Sequence, residues 1–168
     1  MSNSVTMTAI SGIPLVLEGD DLSVLISNAL SRNNIAPEAG DVFVVAQKIV
    51  SKAEGRTVDL RTITPSLSNQ DLAQKCDKDP RLVELIMSQS KSVIRQAGGV
   101  LITEHNLGWI MANAGIDASN VASENGAENV LLLPENPDQS CADLNRKLEA
   151  IYSKKLGIVM NDSFGRPW

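Results

Sequence analysis

Gly40-Asp41-Val42-Phe43-Val44-Val45-Ala46-Gln47-Lys48-Ile49-Val50-Ser51-Lys52-Ala53-Glu54-Gly55 is the stretch from which the remainder of the chain can be read. Val42 to Ala46 is an unbroken apolar run rich in β-branched residues. It predicts a strand buried on both faces. Gln47 onward turns polar and helical, and Gly55 stands where a helix places its C′ glycine. A strand that passes directly into a polar helix start is a recurrent position for ligand chemistry in α/β proteins.

Working outward toward the N-terminus, Val5 to Ile10 is β-rich and predicts a strand, broken by Gly12-Ile13-Pro14-Leu15. Asp20 or Asp21 can cap a helix in which Leu22, Leu25, Ile26, Ala29 and Leu30 form one apolar stripe. Asn33, Asn34 and Pro37 end it. In the other direction, residues 56–68 read as extended chain and loop. Pro65-Ser66 opens a helix reaching about Cys76, and Asp79-Pro80 caps a second with Leu82, Val83, Ile86 and Met87 on one face. Val100 to Ile102 and Trp109 to Ala112 predict a hairpin around the turn Glu104 to Gly108. A polar stretch, 113–128, precedes a strand at Val130 to Leu133. Pro137-Asp138 then opens a helix whose stripe carries Cys141, Leu144, Leu148 and Ile151, so Cys141 reads as core. Gly157 to Met160 is the last strand. The pattern is α/β in the mixed α+β sense. Without repeat or linker, it predicts a single domain over residues 1–168.

Composition narrows the function. The 168 residues carry a net charge of −5, with 43% hydrophobic, 21% charged and 3% aromatic residues. That balance is globular and excludes a disordered chain or a disulfide scaffold. The acidic balance argues against a nucleic-acid partner, and the scarcity of aromatics against a stacking platform for single strands. Residues 1–10 lack a signal-peptide pattern, and no apolar run approaches the ~18 residues that span a bilayer. Cys76 and Cys141 read as separate reduced thiols. The expectation is a cytoplasmic protein without a membrane partner.

The common phosphate-binding loops, G-x-x-x-x-G-K-[ST] and G-x-G-x-x-G, are absent from the sequence. The single histidine, His105, lies in a turn and reads as a surface residue. Counting excludes a zinc site built from several histidines and cysteines. Three clusters remain. Asp117, with Asn113, Ser119 and Asn120, is either an Asx-rich turn or an oxygen donor for a hard cation. Asp162 and Ser163 follow a strand, where catalytic carboxylates project, or form a plain turn before Gly165. Lys52, with Lys48 one helical turn before it, offers a point charge for phosphate or lies on a solvated face. Together the clusters suggest a metal–nucleotide site, in which cations offset the charge of a triphosphate.

In this order the chain carries G-I-P-L at 12–15, G-D-D-L at 19–22, V-V-A-Q-K-I-V-S-K-A-E-G-R at 44–56, D-P-R-L-V-E at 79–84, N-A-G-I-D-A-S-N at 113–120, L-L-P at 132–134 and D-S-F-G-R-P-W at 162–168. It resembles the coenzyme F-420:L-glutamate ligases, the γ-glutamyl ligases of the deazaflavin coenzyme, from Gly12 onward. The resemblance implies the γ-glutamyl ligase fold, here truncated at the C-terminus, because the family continues past G-R-P-W into a Gly-rich segment. It implies a GTP- and divalent-metal-dependent ligase that adds L-glutamate to the F-420 precursor through an acyl-phosphate, in a cytoplasmic homodimer. Magnesium or manganese is the implied metal, and GTP the co-substrate. By position, Gly12, Ile13, Pro14, Leu15, Gln47, Lys52 and Asn120 match nucleotide contacts. Asp117, Asp162 and Ser163 match metal ligands, Ser163 standing where threonine is common. The alternative reading is a truncated, non-catalytic binding or assembly module of the same fold.

Overall fold

The computed structural model describes residues 4–118 and 126–162. Strand β1 (Val42–Ala46) lies parallel to β7 (Gly157–Asn161), with Val44 beside Val159 and Ala46 beside Asn161. Parallel neighbours need a long crossover, and most of the molecule sits inside this one. α2 (Gln47–Ala53) follows β1 without a loop. β2 (Thr57–Asp59) then pairs antiparallel with β6 (Asn129–Leu131). Between them come α3 (Leu67–Cys76), α4 (Pro80–Ser88) and an antiparallel sheet of β3 (Ser90–Ala97), β4 (Val100–His105) and β5 (Ile110–Ala112). α1 (Leu22–Arg32) precedes the crossover, and α5 (Pro137–Tyr152) leads back to β7. The fold is mixed α/β, as the patterning predicts.

Local chemistry sets the helix ends. Asp21 caps α1 by accepting from the Ser23 amide at 2.9 Å, while Asp20 instead accepts from the Leu17 amide at 2.8 Å. Asp79 caps α4, with Pro80 in its first turn. Asn136 caps α5 through the Gln139 amide at 3.1 Å, and Pro137 follows it. Gly55 ends α2 at φ +67° and donates its amide to the Lys52 carbonyl, the left-handed position that glycine fills without steric cost.

One core lies under α1, β1, α2 and α5, where Ile26, Leu30, Val50 and Leu148 are buried. A second joins α3 and α4 to β4 through Cys76, Val83, Ile86 and Leu101. A third, smaller one gathers Leu60, Leu85, Val130 and Leu132.

Four expectations are corrected. β1 is not buried on both faces: Val42 is 57% and Val44 66% exposed, while Val45 is buried. The helices α1 and α5 cover one face of the β1–β7 pair, and no described element covers the other. Val5 to Ile10 forms no strand, because its backbone finds no strand partner, and Val5 and Met7 are almost fully exposed. His105 is buried rather than superficial. It closes β4, where Leu101, Thr103 and His105 alternate onto the inward face. Cys141 is half-buried and lines a cavity instead of packing in the core. β3, Ser-Lys-Ser-Val-Ile-Arg-Gln-Ala, was not legible. It is a polar edge strand with two register shifts against β4, so no clean alternation marks it.

Candidate functional site

Because β1 and β7 run in the same direction, their C-terminal ends emerge together. Gln47 and Lys48 open α2 where β1 stops, and Asp162 follows β7 immediately. Asp117 approaches from a third segment. Its amide donates to the Leu131 carbonyl at 3.0 Å, and its own carbonyl accepts from the Leu131 amide at 2.8 Å, so β6 holds its backbone. Its carboxylate meets Lys48 Nζ at 2.5 Å, each side chain being about a third exposed (30% and 33%). The Lys48 alternative raised by the sequence is thus the one placed at the carboxylate, while Lys52 sits one turn further along α2.

The backbone leading to Asp117 is unusual. Asn113, Ala114 and Gly115 have φ of +51°, +51° and +68°. Left-handed geometry in two non-glycine residues costs energy that the surroundings must hold. Asn113 Oδ1 accepts from the Leu101 amide at 3.3 Å, and Ala114 is 1% exposed. A Cβ at Gly115 would stand 2.7 Å from Met111 Cε and 3.0 Å from Leu133.

Beside the strand ends lies a cavity of about 460 Å³, lined by Gln47, Trp109, Met111, Leu133, Met160 and Asp162, among others. Gln47 is 7% exposed, and its Nε2 donates to Ser51 Oγ at 2.5 Å and faces the Leu132 carbonyl at 3.5 Å. Trp109 stands against the buried His105 ring, with centroids 6.5 Å apart and planes inclined by 28°. Burial, then the nearby Arg56 and Lys91 charges, hold the His105 pKa below its ordinary 6.5. A wider groove of about 750 Å³ runs beside α5, and two of its carboxylates serve structure. Asp21 holds Lys147 and caps α1, which lowers its pKa to about 2, and Glu54 accepts from Ser140 Oγ at 2.5 Å.

The sequence candidates therefore divide. Gln47 and Asp162 line one cavity, and Asp117 adjoins Gln47 through Lys48. Gly12 to Leu15 lie elsewhere, along α1. The Gly12 carbonyl accepts from Arg32 at 2.7 Å, Ile13 packs on the first core, and Leu15 is 85% exposed. Lys52 does not line that cavity. Asn120, Ser119 and Ser163 lie outside the described residues. Sequence reasoning missed Trp109, Met111 and Met160. A signal existed: strand side chains alternate, so Met160 shares a face with Asp162, and Trp109 with Met111.

The model of the family described as F420-0:gamma-glutamyl ligase matches residues 12–168. The chain belongs to this family. Among relatives, the Coenzyme F420:L-glutamate ligase of Methanothermobacter thermautotrophicus is 38% identical over 98% of this chain and 64% of its own length. Its counterpart in Methanopyrus kandleri is 38% identical over 95% of this chain and 61% of its own length. That of Methanocaldococcus jannaschii is 35% identical over 78% and 51% respectively. The chain thus spans between half and two thirds of these gamma-glutamyl ligase relatives. No helix among its described residues is long and apolar enough to cross a membrane.

Among the described residues no group of three or more His, Cys, Asp or Glu side chains is gathered at one point. The donors that the gamma-glutamyl ligase resemblance assigns, Asp117 and Asp162, nevertheless have the right chemistry for a hard cation. Asp117 already holds a positive charge, the Lys48 ammonium, at contact distance.

Proposed function

We propose that this chain carries the nucleotide and metal part of a ligase that joins L-glutamate to the terminal carboxylate of the F-420 precursor at the expense of GTP. The observation that carries the reading is the meeting of Lys48 with Asp117 beside Gln47 and Asp162 at the parallel ends of β1 and β7. Phosphoryl transfer needs little covalent help from a protein. It needs positioned cations.

In the proposed reaction an oxygen of the precursor carboxylate attacks the γ-phosphorus of GTP, and GDP leaves. The glutamate amine then attacks the acyl carbon. The amide forms, inorganic phosphate departs, and the amine gives up a proton. Asp117 and Asp162 would hold magnesium or manganese, which supplies charge neutralisation for the triphosphate. Lys48, at the start of α2, would exchange its carboxylate for a phosphate oxygen. Lys52, one turn on, extends the same cationic helix edge. The reading also places the protein in the cytoplasm and pairs it with a second copy as a homodimer.

The test is calorimetry of GTP and of ATP binding, with and without Mn²⁺, on this chain and on Asp117→Asn. Metal-dependent binding that favours GTP and is lost in the variant supports the ligase site. Binding that is absent, or indifferent to Asp117, leaves the fold as a binding or assembly module without the chemistry.

A further inference from the structure

In an antiparallel ladder the two residues of a hydrogen-bonded pair exchange both backbone bonds, and such pairs recur at every second position. Between β4 and β5 the His105 amide donates to the Trp109 carbonyl at 2.8 Å, and two positions on, Thr103 lies opposite Met111. In this register the next such pair is Leu101 with Asn113. The Leu101 amide does donate to Asn113, but to the side-chain Oδ1, at 3.3 Å. The Asn113 backbone carbonyl is used elsewhere. It accepts from the Ile116 amide at 3.1 Å and closes the turn. The Asn113 side chain thus keeps the sheet bond while its backbone leaves the sheet.

Leaving takes left-handed backbone, at φ +51° in Asn113. Asparagine tolerates that region better than most side chains do. The chain then passes from the sheet of β3, β4 and β5 to the pair of β2 and β6, which Asp117 joins through its two bonds with Leu131. Only Ala114, Gly115 and Ile116 separate the joint from Asp117. Ala114 is buried in the second core, and Ile116 packs on the second and third, so a shift of the joint has little slack to absorb it.

We infer that Asn113 is a positioning residue for Asp117: its Oδ1, held by the Leu101 amide, fixes where the turn leaves the sheet, and so where the Asp117 carboxylate meets Lys48. The placement needs neither metal nor nucleotide. Its bearing on metal-dependent GTP binding rests on the ligase reading.

Asn113→Gly deletes the acceptor and keeps left-handed backbone without steric cost. Asn113→Asp keeps an acceptor oxygen. Circular dichroism melts show whether each variant is folded. Without metal, amide hydrogen exchange followed by NMR should be about tenfold faster at Asp117 and Leu131 in Asn113→Gly, with the His105 amide unchanged and wild-type rates restored in Asn113→Asp. With Mn²⁺, calorimetry should show Asn113→Gly losing about tenfold in GTP affinity and Asn113→Asp recovering it. Asp117 and Leu131 amides as protected as in the wild type overturn the inference. So does equal acceleration at His105, the mark of a merely destabilising change, and so does GTP affinity unchanged in Asn113→Gly. A wild type without metal-dependent GTP binding removes the ligase reading, and hydrogen exchange still decides for Asn113. Should Asn113→Gly not fold, the wild type alone decides. Leu101 and Asp117 amides that open together support the joint, and an Asp117 amide that exchanges far faster than that of Leu101 overturns it.

Discussion

Asp117 and Lys48 are each about a third exposed, so water screens much of their attraction and the pair is worth about 0–1 kcal/mol. Asp117→Asn should therefore barely move the thermal midpoint, yet lower Mn²⁺-dependent GTP affinity at least tenfold. A melting curve beside a calorimetric titration separates the two effects. His105 makes the opposite kind of prediction. Its folded pKa lies below the 6.5 of an unperturbed histidine, first because of burial. The unfolded chain thus takes up a proton that the folded chain resists. The stability His105 contributes is complete above about pH 6.5 and is lost as pH falls through the depressed value, with a slope of at most about 1.4 kcal/mol per pH unit. Urea midpoints between pH 7.5 and 5 should fall more steeply for the wild type than for His105→Asn.

Between Asn113 and Asp117 one turn sets both the carboxylate and a wall of the cavity. A methyl group at Gly115 would press on Met111 and Leu133 and would sit in left-handed backbone. Gly115→Ala should cost about 1–3 kcal/mol, read from denaturant unfolding. At Gly55 an added Cβ would meet the Glu18 side chain at 2.7 Å, but that flexible chain can swing away, leaving mainly the backbone cost. In α5, Leu148 is fully buried against α1, and Leu148→Ala should cost about 2–5 kcal/mol in the same measurement. Helices were legible because their signals are local: Asp21, Asp79 and Gly55 mark ends by chemistry within a turn. The β1–α2 junction was legible for the same reason. The solvent face of β1 was not, since Val-Phe-Val-Val-Ala states that a strand is apolar and not how many layers cover it. The Lys48–Asp117 contact was open too. Helical spacing put Lys48 and Lys52 on one face, but the approach of Asp117 to Lys48 depends on a bridge to β6 that no local pattern shows.

For the molecule as a whole, the side of the β1–β7 pair that no described element covers is the outstanding surface. Val44 and Val159 are register partners, 66% and 49% exposed, with Val42 beside them. An apolar row beside strand edges that no described strand pairs invites another chain. If a second copy takes it, sedimentation velocity should show concentration-dependent dimers that Val44→Lys converts to monomers with an unchanged melting point. A wild type that stays monomeric across the concentration range removes the homodimer reading for this chain. At this scale the sequence spoke through the order of its motifs, which identified the family. It was silent on which motifs meet: G-I-P-L lies along α1, while Gln47 and Asp162 line one cavity and Lys48 meets Asp117.

The β1–β7 pairing also has a consequence in time. Ala46 meets a partner, Asn161, that lies 115 positions later in the chain. At a synthesis rate of about 5–20 residues per second, β1 leaves the ribosome roughly 6–23 s before its partner strand. Throughout that interval an apolar strand has its partner edge open, and Gln47 and Lys48 wait beside a site that does not yet exist. A nascent chain of this design needs shelter at its first strand. Slowing translation before β7 should lengthen that exposure and lower the soluble yield, while leaving the finished protein as stable as before.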